Sequence, residues 1–552
     1  MYINYTAYSY ELDEDLKQLF KTSSEFFPKD AKVLKDMPWV GRVSFADIKE
    51  KIEEIKTRPI MCSNCGGALT NPDIIQVSPT KGKTFQCEFC GTLNVIPKDL
   101  MPGTDLSEFV LGQLTRAKPI TEDTLLAVID ISGSMSGGKL AAVKESLIRT
   151  VTDLSVNAPE TTFGLLAFHS DVYCYDENMK EVFTLSGDMR YSVEEITKAV
   201  EKKLKDVELK PLKKTKKKWV SNIEKLRDID MTALGPAMVA GYVIMKDRGG
   251  RIILLTDGLA NEGVGTLEGS STTGAQLYED LAIKAANASI IIDVVGIKDP
   301  SAFMALEALA VMPMQTGGTM FYAQASEIAA AMSSSSSGKI VARGVKMRVI
   351  TPEDVEVAEV SGLGGTDAEQ LKKGIRIGSV TEDREVYVRL TPAAKVKEKE
   401  VPIQVQVSYM DEEGNQRMRV MTKRVKVTDD AKPIIETLDV ELPATYAVQR
   451  AGEEQYRGEV AKSKKILENT QNAYRAVRNK APASLVKAIE KADKILDEEI
   501  AEADQVAERQ KEEMSKRSVV GVAQAAPIAD EDAALSMQKA RKSSKQLFED
   551  EE

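Results

Sequence analysis

The feature that most constrains the fold is an alternation of apolar runs and amphipathic stretches between residues 121 and 324. The apolar runs include LLAVID, FGLLAF, RIILLTDG and SIIIDVVGI, and the amphipathic stretches include KLAAVKESLIRTVTDL and AQLYEDLAIKAAN. In the first amphipathic stretch, apolar residues recur every three or four positions on one helical face. They are Leu140, Val143, Leu147, Val151 and Leu154. Strands that alternate with helices form helix-covered parallel sheets, so the sequence predicts a doubly wound α/β domain over residues 121–330.

Oxygen-bearing side chains follow the first apolar run, in VIDISGSMSGGK, which contains Asp130, Ser132 and Ser134. A phosphate-binding loop would need G-x-x-x-x-G-K-[ST], whereas Lys139 is followed by leucine and the first glycine is misplaced. A nucleophilic serine would need a base, and no motif links the one histidine, His169, to either serine. A hard divalent cation, which prefers about six oxygen ligands, remains as the interpretation.

Two further loops extend this set of oxygens. Thr232 lies in DIDMTALGPAM, and Asp257 ends the apolar run RIILLTDG. Ligands bind at the carboxyl ends of the strands in open α/β sheets, so we expect all three loops to meet at one edge. The alternative is that these oxygens only cap their loops.

The motifs D-x-S-G-S-M, T-A-L-G-P-A and L-T-D-G closely resemble the metal-ion-dependent adhesion site (MIDAS) of von Willebrand factor A (vWA) domains. The resemblance implies that Ser132, Ser134 and Thr232 ligate Mg²⁺, or Mn²⁺ or Ca²⁺, directly or nearly so. It also implies that Asp130 and Asp257 hold the cation directly or through water. The last coordination position would accept a carboxylate from a protein partner.

Four of the five cysteines form two C-x-x-C pairs, Cys62 with Cys65 and Cys87 with Cys90. Two such pairs, separated by about 20 residues and each followed by glycine, are typical of a closed tetrahedral Zn²⁺ site. With no open coordination position, this zinc is expected to be structural. The fifth cysteine, Cys174, lies in the apolar VYCY and is expected to be a small buried side chain.

The cysteine segment RPIMCSNCGGALTNP…TFQCEFCGTLNVIP, followed by FGLLAFHSDVYCYD, resembles the zinc ribbon and trunk of the inner coat proteins of COPII vesicles. In that family a β-sandwich and a helical region accompany the trunk. This chain differs in keeping every MIDAS position and in showing no clear gelsolin-like domain. Its later segments also resemble those of other vWA proteins that act as interaction scaffolds.

Apolar residues alternate at every second position after the serine run near residue 335, which predicts a β-sandwich over 339–442. A helical stripe then predicts long packed helices over 443–517; it comprises Leu485, Ile489, Ala492, Leu496 and Ile500. Residues 1–58 are expected to form an N-terminal segment against the sandwich, 59–98 the zinc ribbon, and 518–552 a flexible tail with an acidic end. The expected fold class is therefore multidomain: a doubly wound vWA domain, an N-terminal zinc ribbon, a β-sandwich and a C-terminal helical region.

The net charge of −11 disfavours binding of the whole chain to nucleic acid or anionic membrane. The N-terminus has no basic and apolar pattern of a signal peptide, and no run of about 18 apolar residues predicts a membrane span. Paired cysteines in such a chain indicate a metal in a reducing compartment. We therefore expect a cytoplasmic location.

A lysine-rich stretch, EKKLKDVELKPLKKTKKKWV, departs locally from this acidic balance. We expect it to project beside the α/β domain, outside its core. Five of its lysines could contact an acidic filament or anionic membrane: Lys213, Lys214, Lys216, Lys217 and Lys218. The alternative is a solvated loop, and RNA is disfavoured because only Trp219 could stack on bases.

These patterns predict a non-enzymatic scaffold or adaptor that binds a protein partner with an exposed carboxylate through Mg²⁺. A coat-like membrane-trafficking assembly is one setting, and a cytoskeletal or ciliary assembly that contacts an acidic filament is the alternative. A hydrolase, the third class, would need a base, a catalytic dyad or a metal-activated water, none of which the motifs supply.

Overall fold

The computed structural model describes most of the chain: residues 19–33, 37–46, 48, 52, 54–78, 80, 82–113, 124–228, 231–258, 260–267, 272–298, 306–337, 340–363, 368–411, 414–518 and 529–549. The first 18 residues of the predicted N-terminal segment lie outside these ranges. So do residues 519–528 and 550–552 of the predicted tail.

The N-terminal part of the chain is built from short strands. They are β1 (Phe20–Thr22), β2 (Phe26–Pro28), β3 (Trp39–Ser44), β4 (Glu54–Ile55), β5 (Ile75–Ser78), β6 (Gly82–Gln86), β7 (Leu93–Val95) and β8 (Leu106–Gln113). Strands β5, β6 and β7 form a small antiparallel sheet next to the four clustered cysteines. The other five strands join larger sheets formed with the second half of the chain.

The α/β domain follows. Its elements are β9 (Thr124–Asp130), α1 (Lys139–Asn157), β10 (Thr162–Phe168), β11 (Val172–Tyr175), β12 (Glu181–Leu185), α2 (Val193–Lys203), β13 (Lys210–Pro211), α3 (Leu212–Ile223), α4 (Leu234–Met245), β14 (Gly250–Thr256), α5 (Thr272–Asn287), β15 (Ile290–Ile297), α6 (Leu306–Leu309), α7 (Val311–Thr316), β16 (Met320–Ala323) and α8 (Ile328–Ser337).

These strands form one eight-stranded sheet in the order β12-β11-β10-β9-β14-β15-β16, with β13 paired to β10. The five strands from β10 to β16 in this order are mutually parallel, whereas β11, β12 and β13 are antiparallel additions. Alternate residues of β9 enter two different cores: Leu126 and Val128 pack under α4 and α5, and Leu125 and Ala127 under α1 and α3. Helices cover both faces, so the predicted doubly wound architecture is confirmed.

A β-sandwich follows the α/β domain. Its elements are β17 (Ile340–Ile350), β18 (Val355–Ser361), α9 (Ala368–Lys373), β19 (Ile375–Thr381), β20 (Glu385–Pro392), β21 (Glu400–Met410) and β22 (Asn415–Thr428). One sheet has the order β1-β3-β20-β18, and the other has the order β19-β17-β21-β22-β8-β4, with β2 paired to β22. The sandwich therefore draws strands from three separate parts of the chain.

Strand β8 lies between the predicted zinc ribbon and the predicted α/β domain, in a stretch to which the sequence analysis assigned no element. In β8, Glu108 is buried and forms an ion pair with Arg419 at 2.6 Å, and it also accepts a hydrogen bond from Tyr409. A buried carboxylate interrupts the apolar alternation by which a strand is recognised, but its charge is compensated by the paired arginine.

The C-terminal region is helical. It comprises α10 (Ala431–Glu436), α11 (Glu441–Tyr456), α12 (Val460–Arg478), α13 (Ala483–Ser518), α14 (Asp530–Lys539) and α15 (Ser544–Glu549). The predicted stripe on α13 faces α11 and α12, with Ile489, Ala492 and Leu496 buried in their common core. Among the described helices, none has the length and apolar character required to cross a membrane.

The predicted flexible tail is instead structured over residues 529–549. Helix α14 packs on β16, the edge strand of the α/β sheet, and its Ala534 and Met537 enter the α/β core. Leu547 and Phe548 of α15 enter the core of the helical region. The short apolar stripe on α14, surrounded by polar residues, gave too weak a sequence signal to predict this packing.

The lysine-rich stretch also differs from its prediction, because it forms α3 and belongs to the domain core. Leu212, Trp219 and Ile223 are buried on its inner face, and the indole of Trp219 meets the ring of Phe163 edge-on at 5.0 Å. The many lysines masked this helical stripe of apolar residues. They lie on the outer side of a packed helix rather than in a projecting loop.

Candidate metal centres

Asp130 ends β9 at the carboxyl edge of the α/β sheet and is completely buried. Its Oδ1 accepts a hydrogen bond from the Ser132 backbone N–H at 2.8 Å, and its Oδ2 accepts one from the Thr256 hydroxyl at 2.5 Å. Burial raises the pKa of Asp130 to about 6, while these donors act in the opposite direction. A nearby cation would favour the ionised form further.

Asp257 follows β14 at the same edge and is joined to the first loop by hydroxyl groups. The Ser134 hydroxyl donates to Asp257 Oδ1 at 2.6 Å, and the Ser132 and Ser134 hydroxyl oxygens are 3.0 Å apart. Asp257 and Ser132 are buried, whereas Ser134 is exposed. The oxygens of two loops thus meet at a position that solvent reaches from the Ser134 side.

Thr232 precedes α4 and is held by its backbone. Its N–H donates to Asn261 Oδ1 at 2.9 Å, its carbonyl accepts from the Asn261 N–H at 3.2 Å, and the next N–H, of Ala233, donates to the His169 carbonyl at 2.7 Å. Three residues after Thr232, a Cβ at Gly235 would lie 1.9 Å from the Val264 carbonyl oxygen. Only glycine allows this approach, which explains the glycine in the T-A-L-G-P-A motif.

Gly258 shows how closely the hydroxyl groups converge. A Cβ built on Gly258 would lie 3.4 Å from Thr232 Oγ1 and 3.6 Å from Ser134 Oγ. One small space is therefore lined by hydroxyl groups of the first and second loops, directly beside the third. The five predicted residues lie together at one edge of the sheet, and their donor set of carboxylate and hydroxyl oxygens fits a hard divalent cation. We name this group the candidate cation site.

Lys139, the first residue of α1, belongs to the same edge, although the sequence did not single it out as a site residue. Its ammonium donates to Asp257 Oδ2 at 2.6 Å and to the Ser134 carbonyl at 3.0 Å. A cation at a helix N-terminus is opposed by the helix dipole. A lysine at this unfavourable position of a predicted helix was the sequence signal that could have indicated its contact with the site.

The four predicted zinc ligands form a cysteine cluster. The sulfur atoms of Cys62, Cys65, Cys87 and Cys90 all lie within 4.8 Å of one another. The Cys62–Cys90 and Cys65–Cys87 sulfur distances are both 3.5 Å, close to the roughly 3.8 Å expected for a tetrahedral zinc with 2.3 Å bonds. A hydrogen bond from Cys87 lowers the pKa of Cys65 to about 5, which favours the thiolate form that zinc ligation requires. The donor set fits Zn²⁺.

The cysteine cluster is fixed to the β-sandwich through the backbone of its first turn. Arg348 Nη2 donates to the Cys65 carbonyl at 2.7 Å, and Gln406 Nε2 donates to the Gly66 carbonyl at 2.9 Å. Gly66 has a left-handed backbone (φ 71°), and a Cβ there would lie 2.3 Å from Arg348 Nη1. The four cysteines and the sandwich are therefore coupled mechanically. Cys174 lies elsewhere, buried in β11, and its burial raises its pKa to about 12.

The five predicted contact lysines lie in α3 between Lys213 and Lys218, and we call them the basic face. Lys213 pairs with Glu160, and Lys218 lies 3.5 Å from Glu177. Pro211, just before α3, pairs with Thr162 at the start of β10. The basic face therefore lies toward the amino end of the strands, away from the candidate cation site at their carboxyl ends.

Residues 123–329 match the family of Sec23/Sec24 trunk domains. The circularly permutated Ras protein 1 of Dictyostelium discoideum is 21% identical over 477 residues, which are 79% of this chain and 56% of that protein. The protein transport protein SEC24 C of Arabidopsis thaliana is 22% identical over 315 residues, which are 48% of this chain and 27% of that protein. The chain thus spans about half, or less, of the length of these relatives.

Among solved structures, a von Willebrand factor type A protein from Catenulispora acidiphila matches with a TM-score of 0.44 and 16% identity, covering 68% of this chain and 82% of that one. The human COPII-coat protein Sec24c matches with a TM-score of 0.66 and 14% identity, covering 96% of this chain and 76% of that chain. The likeness to Sec24c extends over nearly the whole chain and concerns the fold.

These findings confirm the resemblance to the inner coat proteins that the cysteine segment and the trunk motifs predicted. The chain carries a Sec23/Sec24-type trunk domain, preceded by a cysteine cluster that fits a zinc ribbon, within a Sec24-like multidomain fold.

Proposed function

We propose that the chain is a non-enzymatic scaffold or adaptor that binds a protein partner through a divalent cation at the candidate cation site. The observation that carries this proposal is the convergence of oxygens from Asp130, Ser132, Ser134, Thr232 and Asp257 at one sheet edge. When bound, Mg²⁺, or Mn²⁺ or Ca²⁺, supplies a positive charge that an acidic side chain of the partner can ligate.

The surroundings of the site suit a protein partner. Ser134 is exposed, so an incoming carboxylate can approach from its side. Met231, next to Thr232, has a left-handed backbone (φ 63°) and a 45% exposed side chain. An exposed apolar side chain beside a charged centre provides contact area for a partner residue that neighbours the ligating carboxylate.

Catalysis is not part of this proposal. His169, the one histidine of the chain, accepts a hydrogen bond from the Ser170 N–H at its Nδ1 and packs on Tyr173. The Ser134 hydroxyl donates to a carboxylate that an ammonium already neutralises, so it has no strong base to activate it. This arrangement favours binding over nucleophilic attack.

We propose a coat-like membrane-trafficking assembly on cytoplasmic membranes as the setting. The trunk-domain match, the Sec24-like fold and the plant protein-transport relative support this setting. In the same proposal, a structural Zn²⁺ at the cysteine cluster keeps the ribbon rigid against the sandwich, because the ribbon's own sheet is too small to supply a large core.

Affinity purification from native lysate tests the function. The parent is compared in Mg²⁺ and in EDTA. Ser132→Ala is compared in Mg²⁺ with Ser146→Ala, which changes a serine on α1 whose hydroxyl donates to the Ala142 carbonyl of the same helix. We expect at least one protein to be lost both in EDTA and with Ser132→Ala, but to be retained with Ser146→Ala. Because EDTA also strips zinc, the Ser132→Ala result decides. An identical set of bound proteins for both serine variants contradicts the proposal.

We also propose that the basic face contacts an acidic filament or an anionic membrane. Its lysines are held on a packed helix, so their charges are fixed in place rather than dispersed on a loop. Lys214 and Lys217 are exposed, and in the described part of the chain no ion pair involves either of them or Lys216. Clustered charges of one sign attract an oppositely charged surface.

A further inference from the structure

Lys139 and Asp257 place opposite charges inside the candidate cation site. The carboxylate of Asp257 is 0% exposed, and the side chain of Lys139 is 17% exposed. Each carboxylate oxygen has its own partner: Oδ1 accepts from the Ser134 hydroxyl and Oδ2 from the Lys139 ammonium. The pair is thus placed where a divalent cation would also be held.

A carboxylate buried to this extent is unstable unless a positive charge compensates it. A divalent cation can supply that charge, and so can the ammonium of Lys139. The lysine is well suited to leave again, because its charge sits on a flexible four-carbon stem at the rim of the site. Its position at the N-terminus of α1 also opposes its charge, since the helix dipole is positive there.

We propose that the Lys139 ammonium acts as an internal cation of this site. It compensates the charge of Asp257, and a divalent metal must displace it from Asp257 Oδ2 in order to bind. This inference rests on the proposed function, because it concerns the same site. Lys139 then has two effects, one on the stability of the fold and one on the affinity for metal. The fold does not depend on metal, and the affinity for metal is lowered by the free energy needed to break the Lys139–Asp257 pair.

Binding of Mn²⁺, measured by calorimetry, tests the inference on the full chain. Lys139→Met removes the ammonium and keeps a chain of similar length, and Lys198→Met removes an exposed lysine of α2 that pairs with Glu194. We expect Lys139→Met to bind Mn²⁺ about tenfold more tightly than the parent, because breaking a buried ion pair no longer opposes binding. Lys198→Met should match the parent.

Thermal unfolding supplies a second readout. Without added metal, Lys139→Met should unfold at a lower temperature than the parent, because Asp257 loses its compensating charge. Saturating Mn²⁺ should raise the unfolding temperature of Lys139→Met by more than that of the parent. If Lys139→Met fails to fold, Lys139→Gln keeps an N–H donor without the charge and carries the same expectations.

The two proposals fail in different ways. Equal or weaker Mn²⁺ binding by Lys139→Met, with clear binding by the parent, overturns the role of Lys139 and leaves the metal-dependent function standing. No Mn²⁺ binding by the parent or by either Lys139 variant overturns both.

Discussion

Gly258 is the residue on which the shape of the candidate cation site most depends. A side chain there would point between the hydroxyl groups of Thr232 and Ser134, at 3.4 Å and 3.6 Å. Divalent cations require ligands at set distances, so a methyl group in this space should exclude the cation or push its ligands apart.

We therefore expect Gly258→Ala to weaken Mn²⁺ binding by about 10–100-fold, the usual range for disturbed ligand positioning. Stability should change by no more than about 1 kcal/mol, because the backbone at Gly258 is not left-handed and the new contacts have ordinary lengths. Calorimetry with Mn²⁺ measures the first quantity and denaturant unfolding the second.

Gly241→Ala on α4 is the matched control, since its new Cβ would also make ordinary contacts, at 3.5–3.7 Å, but within the core under the sheet. Unchanged Mn²⁺ affinity in Gly258→Ala would show that the hydroxyl groups only cap their loops.

At this scale the sequence predicted which residues lie together better than it predicted their hydrogen-bond and ion-pair partners. The five predicted oxygen-bearing residues and the four cysteines belong to short motifs, and each set lies together in the structure. The pairing of Lys139 with Asp257 could not be read from the sequence, because it joins residues 118 positions apart. The same holds for Glu108 and Arg419, whose buried ion pair joins residues 311 positions apart.

Among the elements, α3 combines a buried apolar face with the basic face. We expect the triple change of Lys214, Lys216 and Lys217 to serine to abolish most salt-sensitive binding to microtubules or anionic liposomes. Contacts between exposed charges are screened over about 8–10 Å at physiological ionic strength, so binding by the parent should fall steeply with salt. Co-sedimentation at low and high salt measures this.

The matched control changes Lys395, Lys397 and Lys399, three exposed lysines between β20 and β21, to serine. It removes the same charge from another surface and should bind like the parent. Both triple variants should keep the thermal stability of the parent, because α3 is held by Leu212, Trp219 and Ile223. If the parent sediments with neither surface, the basic face is only solvated.

Helix α14 provides a prediction about packing between distant parts of the chain. Met537 is 1% exposed and lies in the core of the α/β domain, so Met537→Ala should lower the free energy of unfolding by about 2–5 kcal/mol. The control is Glu531→Ala on the same helix, which removes the exposed ion-pair partner of Lys298. It should change the free energy of unfolding by less than about 1 kcal/mol. Denaturant unfolding compares the two, and equal effects would mean that α14 contributes no packing.

Element prediction succeeded where the period was long and uninterrupted. The apolar strands of the α/β sheet and the stripe on α13 extend over many residues, so local pattern and tertiary packing agree there. It failed on α3 and α14, where charged or small residues dilute the apolar face. In both cases burial against a partner element, which a single sequence does not display, decides the structure.

Across the whole molecule, the cysteine cluster is hydrogen-bonded to the sandwich, so we expect zinc binding to affect the stability of both. We expect about one zinc per chain by elemental analysis, and none in Cys62→Ser, because three thiolates cannot complete the tetrahedral site. Loss of zinc should also destabilise the sandwich, since Arg348 and Gln406 would lose ordered acceptors at Cys65 and Gly66.

Cys174→Ala is the control for this change, because it removes the fifth cysteine, which lies in β11 of the α/β sheet. It should keep one zinc per chain. Zinc-free protein with an intact sandwich, purified without chelator, would contradict the prediction.

The sequence predicted the domains of the molecule but not which strands share a sheet. Period-two patterns identified the sandwich strands after residue 339, whereas β1, β3 and β8 are short or carry buried polar residues. Their assignment depends on pairings such as Val40 with Arg389, whose partners are far apart along the chain. Such pairings cannot be inferred from the local sequence pattern.

The division of the sandwich among three chain segments sets an order for its folding during synthesis. The cysteine-bearing hairpins and the α/β domain lie between its first and last strands, so each can fold on the ribosome before the sandwich closes. Trp39, Val40 and Val43 must wait for β20, whose last residue is Pro392. At about 5–20 residues per second, this wait lasts roughly 20–70 s, during which the apolar side chains of β3 are open to aggregation or to chaperones.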